Sequence, residues 1–266
     1  MRVEVKFHLA KEILLPYDLS YYISGYIYRC IKQAAPELSE WLHNTGLKYK
    51  GRRYKPFVFS RCNFASRVNL DSVMKVKGTL SFQIDSIMPE IVHRFVEGAW
   101  ANGHLDLFEF KFPLQETCFL PPVSFSETMV YKALSPIVIP IQKNNQIVFS
   151  HPLDSRFYDS MRNSLKNWYY LRWQEEFPEG EEIHIQLYRP EKFQLGKAAV
   201  LTRFKDKNIK GYLVPLEVEA PVKMQQVIYE AGIGSYGSQG FGMVEALKEH
   251  SCNGEGDCLK RKSTSC

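Results

Sequence analysis

The chain has 266 residues, 45% of them hydrophobic and 14% aromatic, which is enough apolar surface for one large or two small cores. A formal net charge of +5 is too modest to identify a partner by itself, so the distribution of charge matters more than its sum. No run approaches the ~20 apolar residues that cross a bilayer, and charges interrupt the first strand near Met1; no signal peptide, no membrane partner and a cytoplasmic location are expected.

In chain order, Val3 to Leu9 alternates as a strand, and a helix follows from about Asp18 to Lys32, with Asp18 as the expected N-cap. Leu19, Tyr22, Ile23, Tyr26, Ile27, Cys30 and Ile31 hold one continuous helical face. A short helix runs from Pro36 to about His43. The next segment, Lys48 to Lys55, carries Lys48, Lys50, Arg52, Arg53 and Lys55 around Tyr49 and Tyr54, a composition suited to phosphate contacts and base stacking, or to a solvated basic loop. Strands at Pro56 to Phe64 and Lys75 to Ile84, a helix from Pro89 to Ala101 and a strand at Leu105 to Phe112 complete a βαββαβ order.

The second half repeats that order. A strand at Ile137 to Ile141, a hairpin over Lys143 to Gln146 and a helix from Phe157 to Trp173 come first, with Met161, Leu165 and Trp168 on its inner face. Strands follow at Ile183 to Leu187, Ala198 to Phe204 and Tyr212 to Val218. A helix opened by Pro221 and ended by Gly232 precedes a last strand from Phe241 to Leu247. Two tandem ferredoxin-like domains in an α+β fold account for this order. The consecutive prolines Pro121 and Pro122 set the boundary, giving domains over 1–120 and 121–247, and 248–266 reads as a disordered tail. Cys30, Cys62 and Cys118 read as buried free thiols. Cys252, Cys258 and Cys266 fall in the tail without a histidine to complete a zinc pattern, so neither metal nor cofactor is expected.

Gly232, Gly234, Gly237, Gly240 and Gly242 crowd into eleven residues near the C-terminal end. Such density implies positive φ angles or a close backbone approach. The run matches G-x-G-x-x-G, but it lies between a helix and a strand, the reverse of the strand-to-helix order that puts a pyrophosphate on a helix N-terminus; the dinucleotide and P-loop readings fail. An anion-binding nest for a backbone phosphate and a tight packing turn both remain.

The tandem halves, the phrases Ser238-Gln-Gly-Phe-Gly-Met-Val244 and Tyr21-Tyr-Ile-Ser-Gly-Tyr-Ile-Tyr28, and the shorter Ala133-Leu-Ser-Pro136 and Tyr188-Arg-Pro-Glu-Lys-Phe193 together resemble the RAMP superfamily, and most nearly its CRISPR RNA-processing endoribonucleases. The resemblance runs from Met1 to about Leu247. It implies metal-independent cleavage of repeat RNA in precursor CRISPR RNA by 2′-hydroxyl attack, leaving a 2′,3′-cyclic phosphate and a 5′-hydroxyl. It also implies three catalytic residues: Tyr28 as proton acceptor or 2′-hydroxyl positioner, His43 as proton donor and Lys55 as transition-state stabiliser. Lys48 and Lys50 compete for the lysine role. The basic run and the five glycines would contact RNA; effector-complex subunits and a second copy of the chain are left open as partners.

The chemistry of these residue types agrees with that assignment. Metal-free RNA cleavage requires the 2′-hydroxyl to lose a proton, the leaving 5′-oxygen to gain one and the phosphorane charge to be stabilised. A phenol with an ordinary pKa near ~10 is a poor base at neutrality, whereas a histidine near ~6.5 exchanges protons readily. Each residue also has a structural alternative: Tyr28 as a packing tyrosine just off the apolar stripe, His43 as a helix C-terminal cap, Lys55 as a strand-edge or phosphate-binding cation. A noncatalytic repeat-RNA scaffold and a tandem ferredoxin-like adaptor unrelated to RNA are the competing functions.

Overall fold

The computed structural model describes residues 1–247, and the tail expected at 248–266, with its three cysteines, lies outside the described residues. The first half contains β1 (Val3–Pro16), α1 (Ser20–Ala34), α2 (Pro36–Asn44), β2 (Leu47–Tyr49), β3 (Arg52–Tyr54), β4 (Val58–Phe59), β5 (Asn63–Asn69), β6 (Val73–Asp85), α3 (Pro89–Asn102), β7 (His104–Leu107) and β8 (Phe110–Phe119). The sheet order is β4-β6-β1-β8-β7, with β5 also on β6 and every pair antiparallel. β1 therefore sits centrally, and Val3, Val5, Phe7 and Leu9 alternate into a core shared with Ile23, Tyr26, Ile27 and Ile31 of α1 and Ile91, Val92 and Phe95 of α3. Helices α1 and α3 approach so closely that a Cβ on Gly98 would lie 1.8 Å from the Cys30 carbonyl oxygen. Cys30 is buried, whereas Cys62 and Cys118 are only partly so.

The second half contains β9 (Thr128–Ala133), β10 (Pro140–Lys143), β11 (Gln146–Phe149), α4 (Ser155–Trp173), β12 (His184–Leu187), α5 (Leu195–Ala198), β13 (Ala199–Phe204), β14 (Lys207–Tyr212), β15 (Leu216–Glu219), α6 (Val222–Ala231) and β16 (Val244–Leu247). Its sheet order, β12-β15-β9-β16, repeats the first half's arrangement, with the fourth strand beside the first. Each half is thus a ferredoxin-like βαββαβ unit; the β10–β11 and β13–β14 hairpins are insertions. Residues 120–127, which have neither helix nor strand, join the halves.

Several expectations need correction. Asp18 does not cap α1: the N-cap position is Leu19, in helical backbone geometry and without a side-chain cap. The first strand of the second half is Thr128–Ala133, not Ile137 to Ile141; Ile137 makes only an isolated bridge to Tyr212. That apolar run is buried for another reason, since Val138 packs with Ile209 and Phe241 beneath the β13–β14 hairpin and the glycine-rich segment. The basic segment is a hairpin turned by Lys50 and Gly51 at φ 47° and 73°, rather than a loop. Leu105 to Phe112 also folds back as a hairpin, at Phe108. The strand expected at Tyr212 to Val218 is divided between β14 and β15, and the last strand starts at Val244.

Arg2 ties the halves together from the start of β1. Its Nε lies 3.1 Å from Asp85 Oδ2, its Nη1 and Nη2 each donate at 2.7 Å to the carbonyls of Val244 and Tyr229, and its guanidinium stacks 3.6 Å from the Tyr229 ring centroid. Both partners of the ion pair are buried.

Candidate active site

Helix α2 ends one residue after His43, so the carbonyls of its last turn lack intrahelical partners. Lys55, entering from the far side of the β2–β3 hairpin, satisfies two of them: its Nζ donates to the Leu42 oxygen at 2.9 Å and the His43 oxygen at 2.8 Å. The cation at this helix C-terminus is therefore Lys55, and the His43 side chain is left exposed. Tyr28, one helix away, sets its ring edge-on to His43 at 5.9 Å between centroids and to Phe57 at 5.6 Å, and Lys55 Nζ lies 5.5 Å from the Tyr28 ring centroid. All three sequence-predicted residues converge, although 27 positions separate the first from the last.

Burial raises the Tyr28 phenol above its ordinary pKa, so it is protonated at neutral pH. Its Oη is buried and, among the described residues, has no hydrogen-bond partner. A buried hydroxyl without a partner calls for a functional explanation more than a packing ring does. Partial burial and the neighbouring Arg53 lower the Lys55 pKa, while its two carbonyl acceptors favour the ammonium form. Tyr28 and His43 open on a cavity of about 420 Å³ that Arg29, Lys32, Ser39 and Glu40 also line. A larger concavity, about 640 Å³, lies in the second half near Lys132, Arg189 and Lys192; its lining contains no histidine, carboxylate or thiol to move a proton.

The competing lysines point elsewhere. Lys50 reaches Glu176 at 3.8 Å, and Lys48 is exposed opposite Arg53 in the hairpin register. The aromatics of the basic run are occupied too: Tyr49 stacks on Tyr170 at 4.2 Å, and Tyr54 meets Trp168 edge-on at 5.0 Å while its hydroxyl accepts from Asn167 Nδ2 at 3.0 Å. Strand alternation explains the division, since Leu47, Tyr49 and Tyr54 share the face that packs on the second half. The hairpin thus bolts Lys55 to α4, and Lys48, Lys50, Arg52 and Arg53 keep exposed side chains.

The glycine-rich segment closes the other side. Gly232, Gly234, Gly240 and Gly242 have φ between 76° and 92°. A Cβ on Gly242 would fall 2.1 Å from the Ile233 oxygen, and one on Gly240 2.7 Å from the Phe59 ring. The amides of Gly232, Gly240 and Gly242 donate to Ile228, Gly237 and Pro136, and all three residues are buried. These three are engaged in the close packing of the segment on itself and on β4. Gly234 and Gly237, partly exposed, line a cavity of about 310 Å³ with Arg52, Arg53, Lys55, Tyr236 and Gln239. Ser24 of α1 donates to the Ser238 carbonyl at 2.9 Å, fixing the segment to the helix that carries Tyr28.

Two family models match end to end: "CRISPR-associated protein Cas6, N-terminal" over residues 14–118 and "CRISPR associated protein Cas6, C-terminal" over residues 120–246. The chain belongs to the Cas6 family. Among relatives, the "CRISPR-associated endoribonuclease Cas6 1" of Methanocaldococcus jannaschii is 26% identical over 255 residues, 94% of each chain. The "CRISPR-associated endoribonuclease Cas6" of Pyrococcus furiosus is 25% identical over 87% of this chain and 83% of its own. The solved product of a Cas6-related gene from Pyrococcus furiosus superposes with a TM-score of 0.80 at 22% identity, covering 94% of this chain and 99% of that one, a likeness of fold.

Within this Cas6 chain, sequence reasoning missed Arg29 and Lys32, which line the cavity one residue and one turn beyond Tyr28. Their spacing on the exposed side of α1 was available as a signal. It placed Trp168 on the inner face of α4 without its contact to Tyr54 of the hairpin, and it missed Asn167, which no pattern within α4 distinguishes from ordinary surface.

Proposed function

We propose that the chain is a metal-independent endoribonuclease that binds CRISPR repeat RNA and cuts precursor CRISPR RNA into guide units. The observation that carries the reading is the meeting of Tyr28, His43 and Lys55, the first two on an open, cation-lined cavity and Lys55 on the cavity of about 310 Å³ it shares with Arg52 and Arg53, in a chain whose relatives are named Cas6 endoribonucleases. In the proposed step, the 2′-oxygen bonds to phosphorus and the bond from phosphorus to the 5′-oxygen breaks, yielding a 2′,3′-cyclic phosphate and a 5′-hydroxyl. Protonated His43 gives its proton to the departing 5′-oxygen. Tyr28, kept protonated by burial, turns its unpartnered hydroxyl toward the cavity when RNA binds and orients the 2′-hydroxyl, whose proton passes to solvent. Lys55 uses two of its three N–H groups on helix carbonyls and turns the third to the phosphorane.

Lys48, Lys50, Arg52 and Arg53, with Gly234 and Gly237 at the rim of the adjoining cavity, bind the RNA backbone. The test is single-turnover incubation of the protein with end-labelled repeat RNA from the same genome in EDTA, beside an RNA carrying one 2′-deoxy substitution immediately upstream of the cut. A single EDTA-resistant cut, abolished by the 2′-deoxy group, is expected. Tight binding of an RNA that stays intact would instead make the protein a scaffold.

A further inference from the structure

Three segments far apart in the sequence bring large aromatic rings together at the surface beside the glycine-rich segment. Tyr21 and Tyr22 open α1, Phe108 forms the tip between β7 and β8, and Phe204 ends β13. Tyr21, Tyr22 and Phe108 are 42%, 38% and 38% exposed, in a fold whose other aromatic side chains mostly reach its cores. The rings brace one another: Tyr21 to Tyr22 at 5.6 Å and 69°, Tyr21 to Phe204 at 5.4 Å and 87°, Tyr22 to Phe108 at 4.5 Å and 50°. Edge-on contacts of this kind fix a ring's orientation while leaving much of its face open to a ligand. Phe108 and Lys205 both occupy the left-handed backbone region, at φ 55° and 53°, an uncommon conformation for side chains of this size.

Beside Tyr21 and Phe204 the charge is mostly cationic, whereas Glu109 follows Phe108 at the other end of the patch. Lys205 Nζ lies 5.5 Å from the Tyr21 ring centroid, and the β13–β14 hairpin also carries Arg203, Lys207 and Lys210 against the single carboxylate of Asp206. Among the described residues none of these four cations is in an ion pair. Phe204 packs on the same small cluster as Tyr236, and Tyr236 lines the cavity that holds Arg52, Arg53 and Lys55. Phe204 of the aromatic surface and Tyr236 of the candidate RNA path thus rest on one packing cluster. Rings with open faces beside unpaired cations match single-stranded nucleic acid, whose bases stack while its phosphates meet lysine and arginine.

We propose that Tyr21, Tyr22, Phe108 and Phe204, with Lys205, form a stacking platform for unpaired bases of the RNA substrate. The inference rests on the endoribonuclease reading and adds a binding site to it. The test compares the full chain with Tyr21→Leu, Tyr22→Leu, Tyr21→Trp and Lys205→Ala variants. Fluorescence anisotropy follows binding to repeat RNA and to the same RNA with abasic sites moved stepwise through its unpaired positions, and sedimentation velocity follows assembly. Each leucine variant should bind intact repeat ~5- to 100-fold more weakly, the range of one lost base stack. Tyr21→Trp should keep wild-type affinity. At one abasic position the leucine penalty should vanish, because the stacking partner is already gone.

Wild-type affinity in Tyr21→Leu and Tyr22→Leu, with the wild-type chain still cutting repeat RNA, would overturn the platform and leave the nuclease reading standing. A leucine variant that lowers the assembly state with an equal loss on every abasic RNA would also overturn it, by showing a contact between copies. If the wild-type chain neither binds nor cuts repeat RNA, both readings fall together.

Discussion

Replacing Arg2 with methionine removes a buried cation while keeping most of the volume of its stem. Asp85, fully buried, then retains only the Ser86 N–H at 2.8 Å and the chain's terminal amine, and the carbonyls of Val244 and Tyr229 each lose a 2.7 Å donor. Breaking one side of a buried ion pair costs about 3–5 kcal/mol; the terminal amine 3.0 Å from Asp85 offsets part of the loss, and the two stranded carbonyls add to it. For a chain of this size that corresponds to a fall in Tm of roughly 6–20 °C. The pH dependence has a definite sign. Burial already raises the Asp85 pKa, Arg2 opposes that rise, and the substitution removes the opposition. An acid whose folded pKa is raised favours the folded state below its unfolded pKa, and that advantage disappears as pH climbs through the folded value.

The Arg2→Met penalty should therefore be smallest near pH 4 and should grow toward pH 8. Urea denaturation at several pH values measures it, and Asp85→Asn in the Arg2→Met background should recover part of the loss at pH 8. A penalty under ~1 kcal/mol at pH 8, or one independent of pH, would refute a buried ion pair holding the two halves together.

Three further outcomes follow from the site. His43→Ala should slow single-turnover cleavage by ~10²- to 10⁴-fold with a much smaller change in RNA affinity, since it removes a proton-transfer group that is exposed and does not support the core; an unchanged rate would exclude His43 from the chemistry. Neutralising Lys48, Lys50, Arg52 and Arg53 together should weaken binding and flatten the plot of log affinity against log salt by up to about 3 units of slope, and an unaltered slope would remove the hairpin from the interface. Gly98→Ala should destabilise by at least ~1–3 kcal/mol, because the new methyl meets the Cys30 backbone rather than a side chain that can turn away, and it should impair cleavage by displacing α1; normal stability on thermal melting would contradict the observed closeness of α1 and α3.

Much of the architecture is local information. The stripe from Ile23 to Ile31, the alternation of Val3, Val5, Phe7 and Leu9, and Pro89 opening α3 each specify an element through contacts a few residues apart, and their repeated order reveals two ferredoxin-like halves. Resemblance added the residue types of the candidate catalytic cluster. What local pattern does not encode is which surface an element meets. Thr128–Ala133 is an inner strand of the second half and Ile137–Ile139 is not, a difference the pattern hides because burial beneath a hairpin and burial in a sheet select the same apolar residues. Tyr49 and Tyr54 read as open to bases, but strand pairing turned them onto α4. The glycine cluster had two readings, a nest or a packing turn, and the close approaches of Gly242 to Ile233 and of Gly240 to Phe59, which exist only in the folded chain, are what the packing reading requires. Tyr28, His43 and Lys55 could be chosen from the chain as chemical types. Their meeting depended on a helix end whose free carbonyls captured the lysine, a contact that exists only after α2, the hairpin and α4 have packed together.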